Sequence, residues 1–220
     1  MRVLITVIIL IAGIFTAYYL TKTSMERRRL PVIQPRDVNS EMINPELAHI
    51  GIGHRIGDFE FKNQNGEKVT LQDVEDKVFV AEYFFTTCLT ICPVMTEEMT
   101  RVQKRFKNND EVKILSFTVD PEHDSVEVMR AYASEHGAVD GQWHFLTGKK
   151  ENLYKLARNS FFVLKPAEAR NLGDAGSDFI HTNNFVLVDK ELRIRGYYDG
   201  TSTEEVDILM DDIDILLKEK

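Results

Sequence analysis

The sequence predicts an α/β domain, a central mixed β-sheet flanked by helices, with an extra N-terminal β-hairpin and, ahead of it, an apolar N-terminal helix. Three observations predict it. Two almost continuous apolar runs, 78–85 (VFVAEYFF) and 112–119 (VKILSFTV), have the pattern of strands buried on both faces. Each run is followed by apolar residues at helical spacing, and a crossover helix is how parallel strands are joined. The chain then closes with two short strand patterns and a helix, which suits a hairpin that completes the sheet antiparallel.

Taken in order, the first element is 3–20 (VLITVIILIAGIFTAYYL), 18 uncharged and mostly apolar residues, the lower bound for crossing a bilayer core. Tyr18 and Tyr19 fall where an interfacial aromatic belt would sit. A cleaved signal peptide is the competing reading, but no small-x-small site follows. More basic residues follow this span (Lys22, Arg27, Arg28, Arg29) than precede it, which by the positive-inside rule would place the body in the cytoplasm. Residues 1–24 are therefore read as an anchor. Residues 25–55, rich in Arg and Pro without an apolar period, are read as a tether, and 56–220 as one folded domain.

Within the domain, Phe59-Glu60-Phe61 and Val69-Thr70-Leu71 alternate on either side of Asn65-Gly66, a hairpin. The run 78–85 is the central strand. After Cys88 and Cys92, Pro93 suits the first turn of a helix that continues through Met95, Met99, Val102 and Phe106. The second apolar run leads into Asp120-Pro121-Glu122-His123-Asp124 and a helix over 125–135. A short strand at 143–146, a helix at 150–159, strands at 185–188 and 192–197, and a helix at 203–217 complete the chain. This order of elements predicts a sheet of thioredoxin type.

Charge limits the partners. The chain has 27 Lys and Arg against 35 Asp and Glu. The first 30 residues hold five of the bases and one of the acids, so the remainder carries 22 against 34, or −12. Such a body repels phosphate backbones, and nucleic acid is not an expected partner.

The two cysteines lie four apart in C-L-T-I-C, where the central strand feeds a helix. That crevice is where open α/β sheets place their chemistry, and a helix N-terminus favours the thiolate, the form that attacks disulfides and binds metals. On a helical turn, residues i and i+4 share a face, so two sulfurs can converge on a metal or close a disulfide. Buried free cysteines acting as small hydrophobes are the competing reading. A redox pair of the usual kind would be Cys-x-x-Cys, one residue shorter. A metal would need a further ligand, and two soft sulfurs with an imidazole suit copper, zinc or iron. His181 stands just before a predicted strand; His123 and His144 are the other candidates. Met95 and Met99 read as core, and Trp143 as core or pocket wall.

The string 84–99 (FFTTCLTICPVMTEEM) resembles the signature of the SCO/SenC family, an aromatic strand followed by C-x-x-x-C-P. Thr118-Val119-Asp120-Pro121-Glu122-His123-Asp124 is similar to the family's second block, and Trp143-His144-Phe145-Leu146-Thr147-Gly148 to its third. His181, followed by Phe185-Val186-Leu187-Val188-Asp189, matches the position of the family's third copper ligand. The resemblance implies a thioredoxin-like domain that binds copper, as Cu(I) or Cu(II), through Cys88, Cys92 and His181. Asp120 is either an outer ligand or anchor of that site or a turn residue before Pro121. It implies a copper chaperone rather than an enzyme, one that delivers copper to, or reduces the cysteines of, the binuclear copper centre of cytochrome c oxidase. The partners implied are the oxidase's copper-bearing subunit, other copper carriers or thiol reductants, and the membrane, with the domain on the outer, periplasmic side of the inner (cytoplasmic) membrane. A thiol–disulfide oxidoreductase, a peroxidase or a redox or copper sensor would use Cys88 and Cys92 as a redox-active pair instead. Leu-Thr-Ile between the cysteines departs from the family, where many members carry an acidic residue, and 161–176 departs from the usual lead-in to the histidine.

Overall fold

The computed structural model describes residues 2–26, 29–39, 42–43, 53–163 and 182–219. It opens on helix α1 (Arg2–Glu26), whose side chains from Ile5 to Tyr19 are exposed all round, Ile9 at 66% and Phe15 at 69%. Among the described residues no helix is long and apolar enough to cross a membrane. Of the stretch read as a tether, Leu30, Gln34 and Ile43 are buried, and the Ile33 N–H donates to the Ile194 carbonyl at 2.8 Å.

The hairpin forms as expected from β1 (Glu60–Lys62) and β2 (Lys68–Thr70), with Phe61 opposite Val69. Its turn is closed by Gly66 at φ +78°, a conformation that favours glycine, whose N–H reaches the Asn63 carbonyl at 2.9 Å. The pair is a separate small sheet that leans on the main one. Lys62 and Thr147 exchange backbone hydrogen bonds of 3.0 and 2.9 Å, and the buried Gln64 amide bonds the Trp143 carbonyl and the Phe145 N–H.

The main sheet holds five strands. β3 (Val78–Phe84) leads through α2 (Ile91–Arg105) to β4 (Val112–Thr118), then through α3 (Val126–Glu135) to β5 (Trp143–Leu146). After α4 (Lys150–Asn159) the chain returns as β6 (Asn184–Val188), turns into β7 (Ile194–Asp199), and ends in α5 (Thr203–Leu216). The order is β5-β4-β3-β6-β7, with β3 central, parallel to β4 and antiparallel to β6. This is the mixed sheet the sequence predicts. β7 begins two residues later than expected, because the Asp189 carboxylate accepts the N–H groups of Glu191 and Arg193 and holds 189–193 as a wider turn, with Leu192 at φ +64°.

Strand parity divides the core. Phe79, Ala81 and Tyr83 face a cluster with the hairpin and α4, while Val78, Val80 and Phe84 face one built with α2, α3 and α5. Met95, Met99 and Trp143 are fully buried in the second cluster, as are Cys88 and Cys92 almost completely. Both methionines are therefore core, and Trp143 is core whose indole N–H donates to Ser116 Oγ at 2.8 Å.

Candidate metal centre

The cysteines sit at the carboxyl end of β3, which the sheet order makes the middle of the molecule. Cys88 lies in the loop after the strand, its N–H donating to the Phe85 carbonyl at 3.2 Å. Cys92 lies in the first turn of α2. That helix has no side-chain cap from Thr90, the residue in the cap position. The Cys88 sulfur takes the place of the cap instead, accepting the Cys92 N–H at 3.4 Å and standing 3.6 Å from Thr90 Oγ1. One sulfur is thus held by the helix N-terminus, and the other by the helix itself.

This arrangement splits the proton affinities of the two thiols. Burial pushes Cys88 up, but hydrogen bonds from the Cys92 thiol and N–H and from Thr90 outweigh it and bring its pKa down to about 7. Cys92 goes well above the ordinary thiol range, because it is buried, because it donates to Cys88, and because the charges of Cys88 and Glu82 oppose a second thiolate. At neutral pH Cys88 is about half ionised and Cys92 is protonated, so the pair never holds more than one negative charge there.

The loop that carries Cys88 is fixed by a residue whose role was not read from sequence. Asp124 is fully buried, and its carboxylate accepts the Thr86 N–H at 3.3 Å together with the hydroxyls of Thr86 and Thr118. It joins the cysteine loop to the end of β4. The partner motif residue Asp120 forms the turn: its carbonyl accepts the N–H groups of His123 at 3.2 Å and Asp124 at 2.8 Å, and its own N–H bonds Thr118 Oγ1. On the helix side, Tyr132 donates to Thr96, whose hydroxyl reaches the Cys92 carbonyl at 2.8 Å.

Beneath the pair lies a second unforeseen group. Glu82 is 1% exposed on β3, on the same sheet face as the cysteines by strand parity. Its Oε1 accepts the Ser116 hydroxyl at 2.5 Å, while its Oε2 is buried without a hydrogen-bond partner. Burial raises its pKa to about 7, against the Ser116 hydrogen bond, which lowers it. A lone acid inside an otherwise apolar run was the signal for it in the sequence.

His181 lies outside the described residues, as do 164–176 of the lead-in to it. Among the described residues no group of three or more His, Cys, Asp or Glu is placed to hold a metal. His123 instead faces Asp124 at 3.5 Å, and His144 Nδ1 is buried without a partner. Two adjacent sulfurs, one of which ionises near neutrality, fit a soft metal ion, whose positive charge would favour both thiolates.

A thioredoxin-like sheet with a Cys-x-x-x-Cys pair between the central strand and its helix defines a thiol-based redox or metal-handling protein. The SCO1/SenC family model matches residues 50–217. The chain belongs to this family. Among its relatives, the SCO1 protein homolog of Bacillus subtilis (strain 168) is 34% identical over 164 residues, 74% of this chain and 82% of that one. The structure of BsSco, described as a member of the Sco family of cytochrome c oxidase assembly proteins with a disulfide switch, superposes with a TM-score of 0.64 at 30% identity, covering 77% of this chain and 96% of that one. Bradyrhizobium japonicum ScoI, solved with copper bound, shares the fold at a TM-score of 0.56 and 23% identity, over 73% of this chain and 99% of that one.

Proposed function

We propose that this chain binds copper through Cys88, Cys92 and His181 and serves the assembly of cytochrome c oxidase, delivering copper to the binuclear centre or reducing the cysteines that receive it. The observation that carries this reading is the sulfur pair itself. A helix N-terminus holds one thiol at a pKa of about 7 beside a second thiol, in a chain of the SCO1/SenC family. Cu(I) suits two thiolates and an imidazole in a three-coordinate site, and Cu(II) would take a further oxygen or nitrogen ligand, for which Asp120, just beyond the end of β4, is the candidate. His181 is supported as third ligand by topology. β6 runs antiparallel to β3 and so begins at the cysteine end, and three residues of chain from Asn184 span at most about 10 Å.

In this reading the apolar stretch 3–20, whose described side chains (Ile5 to Tyr19) alone fall short of a full span, attaches the domain to the inner membrane, with the domain on the outer side. The supporting observation is a helix whose apolar side chains are exposed all round rather than packed on the domain. Anaerobic titration of the reduced, metal-free chain with Cu(I) tests the copper site. A single tight equivalent is expected, lost in Cys88→Ser and weakened in His181→Ala.

The second reading is thiol–disulfide exchange, favoured by the same asymmetry, since an ionised Cys88 is a nucleophile and a protonated, buried Cys92 is suited to resolve the mixed disulfide. No stoichiometric copper, with ready cycling of the pair, would establish it instead.

A further inference from the structure

Leu89, in the middle of the Cys88–Cys92 loop, is 92% exposed, the most exposed large apolar side chain among the described residues. Its surroundings are unlike it. Cys88 is 6% and Cys92 3% exposed, so a molecule that reaches either sulfur must cross the rim formed by Thr87, Leu89, Thr90, Pro93 and Val94, all exposed. Leu89 and Val94 make the centre of that rim apolar.

Among the described residues, the exposed charged side chains on the first turns of α2, after β4 and at the start of α5 are acidic. Glu97 is exposed one turn further along α2; Asp120 and Glu122 follow β4 on one side; Glu204 and Glu205 open α5 on the other. Arg101 on α2 is spent on Glu98 and Asp207, and Lys150 and Arg158 on α4 stand over the ring of Tyr154. An apolar centre within an acidic border is the complement of an apolar recess bordered by Lys and Arg.

We infer that Leu89 is the anchor through which the cysteine pole docks its exchange partner, a protein that offers an apolar recess with a basic border beside its own metal- or thiol-bearing site. The inference rests on the function proposed above, which supplies the reason for another protein to approach the sulfurs. Leu89 fills the recess and excludes water from the exchange, while the acids speed encounter.

The test measures binding of the copper-bearing soluble domain of the same organism's oxidase subunit to the full chain in detergent, as wild type and as Leu89→Ala and Leu89→Glu. Full burial of a leucine corresponds to roughly 10- to 100-fold in affinity, so Leu89→Ala should bind the domain that much more weakly and Leu89→Glu more weakly still. Copper affinity and the pH profile of Cys88 alkylation should be unchanged in Leu89→Ala, because the side chain lies in solvent. Wild-type binding should also weaken as salt is raised. Undiminished binding by Leu89→Ala overturns the inference alone and leaves the copper site standing. Leu89-dependent docking by a chain that binds no copper supports the inference and overturns the copper reading. Failure of the wild type to bind the domain overturns the inference whatever the copper titration shows.

Discussion

Cys88 and Cys92 share a loop and a chemistry, yet four residues of helix N-terminus give them opposite tasks. Cys88 receives hydrogen bonds and ionises near neutrality; Cys92 gives one and keeps its proton. Alkylation followed by mass spectrometry should therefore modify Cys88 with a midpoint near pH 7 while Cys92 stays unreactive in the folded chain. In Cys92→Ala the midpoint should move up toward the ordinary thiol value of about 8.5, because a donor is lost. Glu82 gives a second prediction. Its pKa rises from 4.5 to about 7 on folding, so the folded chain binds the extra proton between those values and is stabilised below them. Stability should fall as pH rises from about 4.5 to 7, by on the order of 3 kcal/mol from this group. Urea unfolding across that range should show the slope in the wild type and lose it in Glu82→Gln; a slope that persists in the variant would show that the carboxyl is not the source. Glu82 was legible as an anomaly in the apolar run 78–85, but its partner Ser116 was not, since strand pairing alone brings them together.

At the scale of elements, the cysteine loop owes its shape to the turn after β4. Asp124 replaces water for Thr86 and Thr118, and removing it leaves the half-buried Thr86 N–H and the buried Thr118 hydroxyl without this partner. Asp124→Ala should cost on the order of 3 kcal/mol in denaturant unfolding and weaken copper binding, with Asp124→Asn recovering part of both. Leu89→Ala, by contrast, should leave stability unchanged. Much of the element pattern was readable from sequence because local chemistry decides it. Asn65-Gly66 closes the hairpin, Ser125 caps α3, and α4 falls on the expected residues. The errors came where a side chain overrode the local pattern. Asp189 widens the last hairpin and shifts β7; in the D-P-E-H-D motif Asp120 forms the turn, one of its two expected roles, while the buried acid is Asp124, which no local pattern singled out. The location of the sulfur pair followed from strand and helix periodicity, whereas the division of its protons depends on the hydrogen bonds of a helix cap that no spacing rule encodes.

Across the whole molecule, one guanidinium ties together the two ends of the chain. Arg195, 3% exposed on β7, donates to the Leu30 carbonyl at 2.8 Å, the Pro31 carbonyl at 3.0 Å, Asp189 at 2.8 Å and both oxygens of Glu219. Its partners lie as far as 165 residues away, which is why no sequence pattern announced it. Arg195→Ala leaves Asp189 buried without this partner and should cost about 3–5 kcal/mol in thermal or denaturant unfolding. Deletion of residues 1–39 should destabilise the domain as well, since Leu30 and Ile33 leave with them. The clasp also sets a distance. Arg195 lies at the start of β7, level with the N-terminal end of β3, so the chain leaves for α1 at the pole opposite the cysteines. From Glu26 to Leu30 is at most about 14 Å of extended chain, and the seven residues of β3 add about 23 Å in the other direction. The side of the domain that receives the chain from α1 and the side that presents the sulfurs therefore face apart by about the length of the central strand.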